Sequence, residues 1–145
     1  MASPNIEKYP EEDGAIVVAT GAYARVLLFG EAREEFELLM TLMDADSVAA
    51  CRNLKAYYKR YADHGPTSLS DSMFKSEKRQ RVLGTNVPVY AFKAKHVRVY
   101  GVQDNYRGFL CFCGTSYDPS KKQRKADPEK LKKAAKEWLR ITNDG

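Results

Sequence analysis

Histidine occurs only twice in this chain, tryptophan once and cysteine three times. Cys51, Cys111 and Cys113 are too few to staple a small fold, which excludes a disulfide framework. A zinc site needs four ligands, and His64 and His96 leave the Cys111-x-Cys113 pair short of partners. Positions i and i+2 of a strand share a face, so FLCFC reads as an apolar strand with two reduced, buried thiols. No metal or other cofactor is expected. The most apolar run, AIVVATGAYARVLLFG, is broken by Gly21 and Arg25 and is too short to span a bilayer. The first residues, MASPNIEKYPEEDG, are polar and acidic, unlike a signal peptide. A soluble, cytoplasmic protein is therefore expected. The usual hydrolase signatures are missing as well: no Gly-x-Ser-x-Gly, no His-Glu-x-x-His, no phosphate-binding P-loop and no dense group of acids for two metals.

What is present in quantity is charge, and it is unevenly placed. Residues 1–74 carry 7 Lys+Arg against 12 Asp+Glu, whereas residues 75–140 carry 17 against 6. An acidic half joined to a strongly basic one suggests a nucleic-acid footprint on one side; the bland alternative is a lopsided solvated surface. The 145 residues suit one domain, with residues 1–14 as a flexible acidic leader that could fold over the basic face and residues 15–145 as the folded unit.

The pattern along the chain predicts an α+β fold. Residues 22–29 read as a first strand. Glu31–Met43 repeats apolar residues at helical spacing (Phe36, Leu39, Met40, Met43), and a second helix, capped by Asp46 or Ser47, runs to about Asp63. The two form a helical hairpin. After a loop at HGPTSLSD, Met73-Phe74-Lys75 anchors a short element, followed by the basic run EKRQRVLG with Arg79 and Arg81. VPVYAFK, HVRVYGVQ and GFLCFCGTSY then alternate as three strands of an antiparallel meander. A last helix starts at Pro128 behind the capping Asp127 and turns Leu131, Ala135, Trp138 and Leu139 inward. The order β-α-α-β-β-β-α gathers the helices on one face of an antiparallel-rich, twisted sheet and leaves the other face open.

A short turn at Ala94-Lys95 would pair Phe92 with Arg98 and Tyr90 with Tyr100 on that open face, with Lys93 and Lys95 at the hairpin's end. An arginine between tyrosines can hold a phosphate and stack a base, or it can simply pair with a carboxylate. Four more cations, Lys121, Lys122, Arg124 and Lys125, precede the last helix, where the helix N-terminus already favours an anion. Lys130, Lys132, Lys133 and Lys136 read as a solvated helix face. With lysine, arginine, tyrosine and His96 as the available tools, phosphodiester chemistry on RNA is the reaction within reach. Its nucleophile, the 2′-hydroxyl, belongs to the substrate.

The segments LKAYYKRYADHGP, MFKSEK, VYAFKAKHVRVYGV and GFLCFCGTSYDPSKKQRKADPEKLKKAAKEW, in that order, resemble the RelE/HigB-like toxin superfamily, in particular its phage-derived branch. The resemblance implies a RelE-like small domain acting as the toxin of a type II toxin–antitoxin system. Such a toxin is a metal-independent endoribonuclease (an mRNA interferase) that cleaves mRNA in association with the ribosome and is held inactive by an acidic antitoxin. It implies that Lys93 and Lys95 match the basic residues ending the hairpin's first strand, Arg98 the arginine of its second strand, and Lys121 and Lys122 the basic residues after the last strand. The catalytic set is then Arg98, Lys93, Lys95, Lys122 and His96. RNA contacts come from Lys121, Arg124, Lys125, Tyr90, Tyr100, Tyr117, Arg79 and Arg81. The link GTSYDPSKK is longer than usual, and the last helix has no aromatic residue where some members place a catalytic tyrosine. The base is therefore open among Tyr117, a lysine and His96. Two other functions fit the same residues: a non-catalytic nucleic-acid-binding module, and a protein-interaction domain whose basic face meets an acidic partner.

Overall fold

The computed structural model describes residues 7–119 and 127–144. Nine strands and three α-helices occur among them. In chain order these are β1 Glu11–Glu12, β2 Ala15–Thr20, β3 Arg25–Leu28, α1 Gly30–Thr41, α2 Ala45–His64, β4 Phe74–Ser76, β5 Gln80–Val82, β6 Thr85–Val87, β7 Tyr90–Ala94, β8 Val97–Tyr106, β9 Phe109–Asp118 and α3 Pro128–Asp144; a single 3₁₀ turn follows α2 at Pro66–Ser68. Seven strands form one sheet in the order β1-β2-β3-β9-β8-β7-β4, and β5 and β6 pair separately. The β7–β8–β9 meander is antiparallel, as its short connections require, and β3 joins it parallel to β9. The helical hairpin between β3 and the meander supplies the long crossover that a parallel pair needs.

The expectation that all helices share one face does not hold. Helices α1 and α2 bury Phe36, Leu39, Met40, Leu54, Tyr58 and Tyr61 against Val26, Leu28, Phe92, Val99 and Phe112. Helix α3 lies on the opposite face, where Leu131, Ala134, Ala135 and Trp138 meet Leu27, Tyr100, Val102, Cys111 and Cys113. The sequence carries the reason. RVLL and FLCFC are apolar at both alternations, the pattern of strands covered on both sides rather than on one. All three thiols are free and buried, with Cys111 and Cys113 on the α3 side.

Local departures follow from side-chain chemistry. Helix α2 starts ahead of its expected cap because the Asp44 carboxylate accepts the Ser47 N–H at 3.0 Å. Short polar strands (EE, QRV and TNV) lack an alternation that sequence can reveal, so β1, β5 and β6 fall where a leader and a basic loop are expected. The leader expected over 1–14 is not free from Glu7 onward. Tyr9 packs against Phe36, Glu11 pairs with Arg33, and Glu12 pairs with the buried Arg25. Asp13-Gly14 and Arg107-Gly108 are both two-residue hairpin tips with positive φ at each residue. Arg107 Nε meets Asp13 Oδ2 at 2.9 Å, and the Tyr106 hydroxyl donates to the same oxygen at 3.0 Å, so the two tips hold each other.

Candidate nucleic-acid interface

The β7–β8 turn is Lys95-His96, with His96 at φ 60, so Ala94 faces Val97 and Lys93 faces Arg98. This is one residue away from the register expected from an Ala94-Lys95 turn. A one-residue slip moves every side chain to the other face, and the expected aromatic platform is overturned accordingly. Phe92 faces Val99 and is buried under α1 and α2. Tyr90 turns to that same side and stacks on Phe74 at 5.6 Å. Tyr100 is buried beneath α3, and Tyr117 is buried on the α1–α2 side, its hydroxyl pKa pushed up by burial. Tyr100 and Tyr117 offer no open face to a base, and Tyr90 is half-buried on the side away from Arg98.

The slip has a second consequence: it sets Lys93 directly opposite Arg98, and Arg98 opposite Asp118 on β9. All three point to the α3 side of the sheet, at the edge of the area that α3 covers. Lys93 and Arg98 are half-buried; Asp118 is buried. Burial first, then the charges of Arg98 and Lys75, lower the Lys93 pKa from the ordinary lysine value. The Tyr100 hydroxyl interacts with Arg98 and accepts the Asp127 N–H at 3.4 Å. Sequence reasoning missed Asp118 and Lys75. Asp118 could have been found as the acid closing an otherwise apolar strand that neighbours the arginine-bearing one.

Lys95 and His96 do not reach this group. Lys95 Nζ lies 3.0 Å from Asp46 and His96 Nε2 3.9 Å from the same carboxylate, which draws both toward the start of α2 on the other side of the sheet. They border a hollow of about 380 Å³ lined by Leu38, Leu42 and Tyr117. Arg79 and Arg81 are exposed on the separate β5–β6 hairpin. Lys121, Lys122, Arg124 and Lys125 lie outside the described residues. In sequence they stand between Pro119, just past Asp118, and Asp127, beside the Tyr100 hydroxyl.

The lysine face of α3 is only partly solvated. Lys130 and Lys133 reach the Glu31 carboxylate at 2.9 and 2.7 Å, and the Tyr117 N–H donates to it at 2.9 Å. Burial alone would raise the Glu31 pKa, but these donors outweigh it and hold the group at about 2. Lys132 and Lys136 are exposed.

Among the described residues, no three His, Cys, Asp or Glu side chains converge as a metal site, and no helix is long and apolar enough to cross a membrane. No protein-family model, curated protein or solved structure matches this chain.

Proposed function

We propose that this protein is a RelE/HigB-like toxin, a metal-independent endoribonuclease that cleaves mRNA at the ribosome and is neutralised by an acidic antitoxin. The observation that carries the reading is the Lys93–Arg98 pair. Like charges directly opposite each other on neighbouring strands destabilise a sheet, and burial adds to the cost at Lys93. A phosphate bound between them would offset both. The order β3, α1, α2, β7, β8, β9, α3 also follows the strand, helical hairpin, meander and helix expected of that superfamily. Strands β1, β2 and β4 to β6, and the placement of α3, are additions to it.

In this mechanism Arg98 holds the scissile phosphate and offsets charge as it grows in the transition state. Asp118, opposite Arg98 on the neighbouring strand, is the acid in position to orient the guanidinium. The substrate's 2′-hydroxyl attacks phosphorus as the bond to the 5′-oxygen breaks, leaving a 2′,3′-cyclic phosphate and a free 5′-hydroxyl. Lys93, cationic beside the bound phosphate, gives its proton to the leaving 5′-oxygen, and the proton of the 2′-hydroxyl passes to solvent water. The cations from 121 to 125 serve flanking phosphates. Lys95 and His96, tied to Asp46, drop out of the catalytic set.

A non-catalytic RNA-binding domain is the second reading, favoured by the loss of both His96 and Tyr117 as bases near Arg98. Mapping mRNA 5′ ends after adding the protein to a reconstituted translation reaction, with and without ribosomes, separates the two. Discrete new ends that disappear with Arg98→Ala are expected. Intact mRNA from a protein that still binds RNA would leave only the binding domain.

A further inference from the structure

Strands β5 and β6 form a ribbon outside the main sheet, anchored by Val82 and Val87 against the α3 core. Their register, Gln80 with Val87, Arg81 with Asn86 and Val82 with Thr85, puts Arg81 and Asn86 on the outer face. Both are exposed, as are Lys78 and Arg79 just before the strand. No acidic residue occurs from Lys78 to Gln103. Glu77 directly precedes this run, its N–H donating to the Val89 carbonyl at 2.8 Å, and Asp104 borders the hollow below Thr85 and Asn86 and accepts the Trp138 Nε1–H at 3.3 Å.

The tip is the unexpected part. Leu83 is 90% exposed and sits at φ 51, followed by Gly84 at φ 78. Such a tip favours Asn, Asp or Gly at its first position, and a leucine there bears a backbone penalty of about 1–2 kcal/mol. Leu83 fills no core and does not suit the turn, so neither packing nor turn chemistry accounts for it.

We infer that the β5–β6 hairpin is a second RNA contact that grips duplex RNA, with Arg79 and Arg81 on its phosphates, Asn86 at its 2′-hydroxyls and Leu83 wedged into the shallow groove. The choice of RNA rests on the function proposed above; the choice of a duplex rests on the ribbon itself. An A-form helix presents a wide, shallow minor groove lined with 2′-hydroxyls and flanked by phosphates, which suits a basic ribbon with a small apolar tip. Apolar side chains flanked by cations wedge base steps in the same manner on DNA. A bilayer is the poorer match, since one leucine buries little area and the rest of the outer face is polar. The ribbon also stands on the same side of the sheet as Arg98. The hollow beneath it reaches Val102 and Asp104 on β8, so the two sites are on the order of 13–20 Å apart at about 3.3 Å per residue. One folded RNA can span that.

Equilibrium binding of a labelled RNA duplex of about 16 base pairs, followed by fluorescence anisotropy, tests this without requiring cleavage. Leu83→Asn removes the wedge while suiting the left-handed backbone, so thermal stability should hold or rise while duplex affinity falls about tenfold. Arg79→Ala with Arg81→Ala should lower the slope of log affinity against log salt by nearly two, at about 0.9 per phosphate. The same strand unpaired, and vesicles containing phosphatidylserine, complete the comparison. Unchanged duplex affinity in Leu83→Asn overturns the inference, and so does a loss confined to the vesicles. A protein that never cleaves mRNA yet loses duplex affinity with Leu83→Asn would remove the nuclease and keep the ribbon. One that cleaves but binds duplex equally with Leu83→Asn would do the reverse.

Discussion

At the scale of single residues, the site depends on one cross-strand pairing. Lys93 stands opposite Arg98; burial and then the charge of Arg98 lower its pKa, and in the proposed reading a bound phosphate would offset that repulsion. Lys93→Met should therefore raise stability at neutral pH by about 0.2–1 kcal/mol and weaken RNA binding. The folded-state pKa of Lys93 is lowered, so the folded protein holds fewer protons there than the unfolded chain. Wild-type stability should rise with pH as the lysine discharges, and the advantage of the methionine variant should shrink toward the ordinary lysine pKa of 10.5. Urea unfolding of both proteins at pH 7 and pH 10 measures the difference; a variant that is less stable at pH 7 would mean that repulsion from Arg98 is not what lowers the Lys93 pKa. This pairing was not legible in the sequence. The turn Lys95-His96 lacks the Gly or Asn that usually marks a left-handed position, so the hairpin's centre could not be fixed to the residue, and a half-step error reversed every side chain.

At the scale of elements, α3 is held by more than its apolar stripe. Glu31, in the first turn of α1, gathers Lys130, Lys133 and the Tyr117 N–H, linking the helix on one side of the sheet to the helices on the other. Its carboxylate pKa lies at about 2 against an ordinary 4.5. A depressed carboxylate contributes stability that is complete above the unfolded-state value and lost as pH falls through the folded one. Glu31→Gln should cost about 1–2 kcal/mol at pH 7, less than the full shift implies because the lysines stay partly in water. Near pH 2 the variant and wild type should unfold at the same urea concentration, whereas an equal gap at both pH values would assign the loss to packing. Stripes at helical spacing made α1, α2 and α3 legible in sequence, and period-two alternation did the same for β7 to β9. The face on which α3 docks was not, because Leu131, Ala135 and Trp138 state that a helix is amphipathic without stating what it covers. The double-sided apolar run FLCFC carried that information.

At the scale of the whole molecule, the acidic and basic halves do not simply face each other. Glu7 pairs with Lys55, Glu11 with Arg33, Glu12 with Arg25 and Asp13 with Arg107, so the first acids are spent on cations away from Arg98. Lys75, Lys78, Arg79, Arg81, Lys132 and Lys136 stay exposed. Strand β1 is thus a structural edge of the sheet, and deleting residues 1–14 tests whether the first acids also shield the basic face. The deletion removes β1 and strips the buried Arg25 of Glu12. Breaking a fully buried pair costs about 3–5 kcal/mol; with Glu12 partly exposed, about 2–3 kcal/mol is expected. A shield would instead leave stability nearly unchanged and raise RNA affinity at low salt, where unscreened acids repel the ligand most. The truncated protein should therefore melt earlier, while its RNA affinity follows the same dependence on salt as the full chain, measured below the melting transition of both. A steeper salt dependence with an unaltered melting temperature would show the acids guarding the basic face.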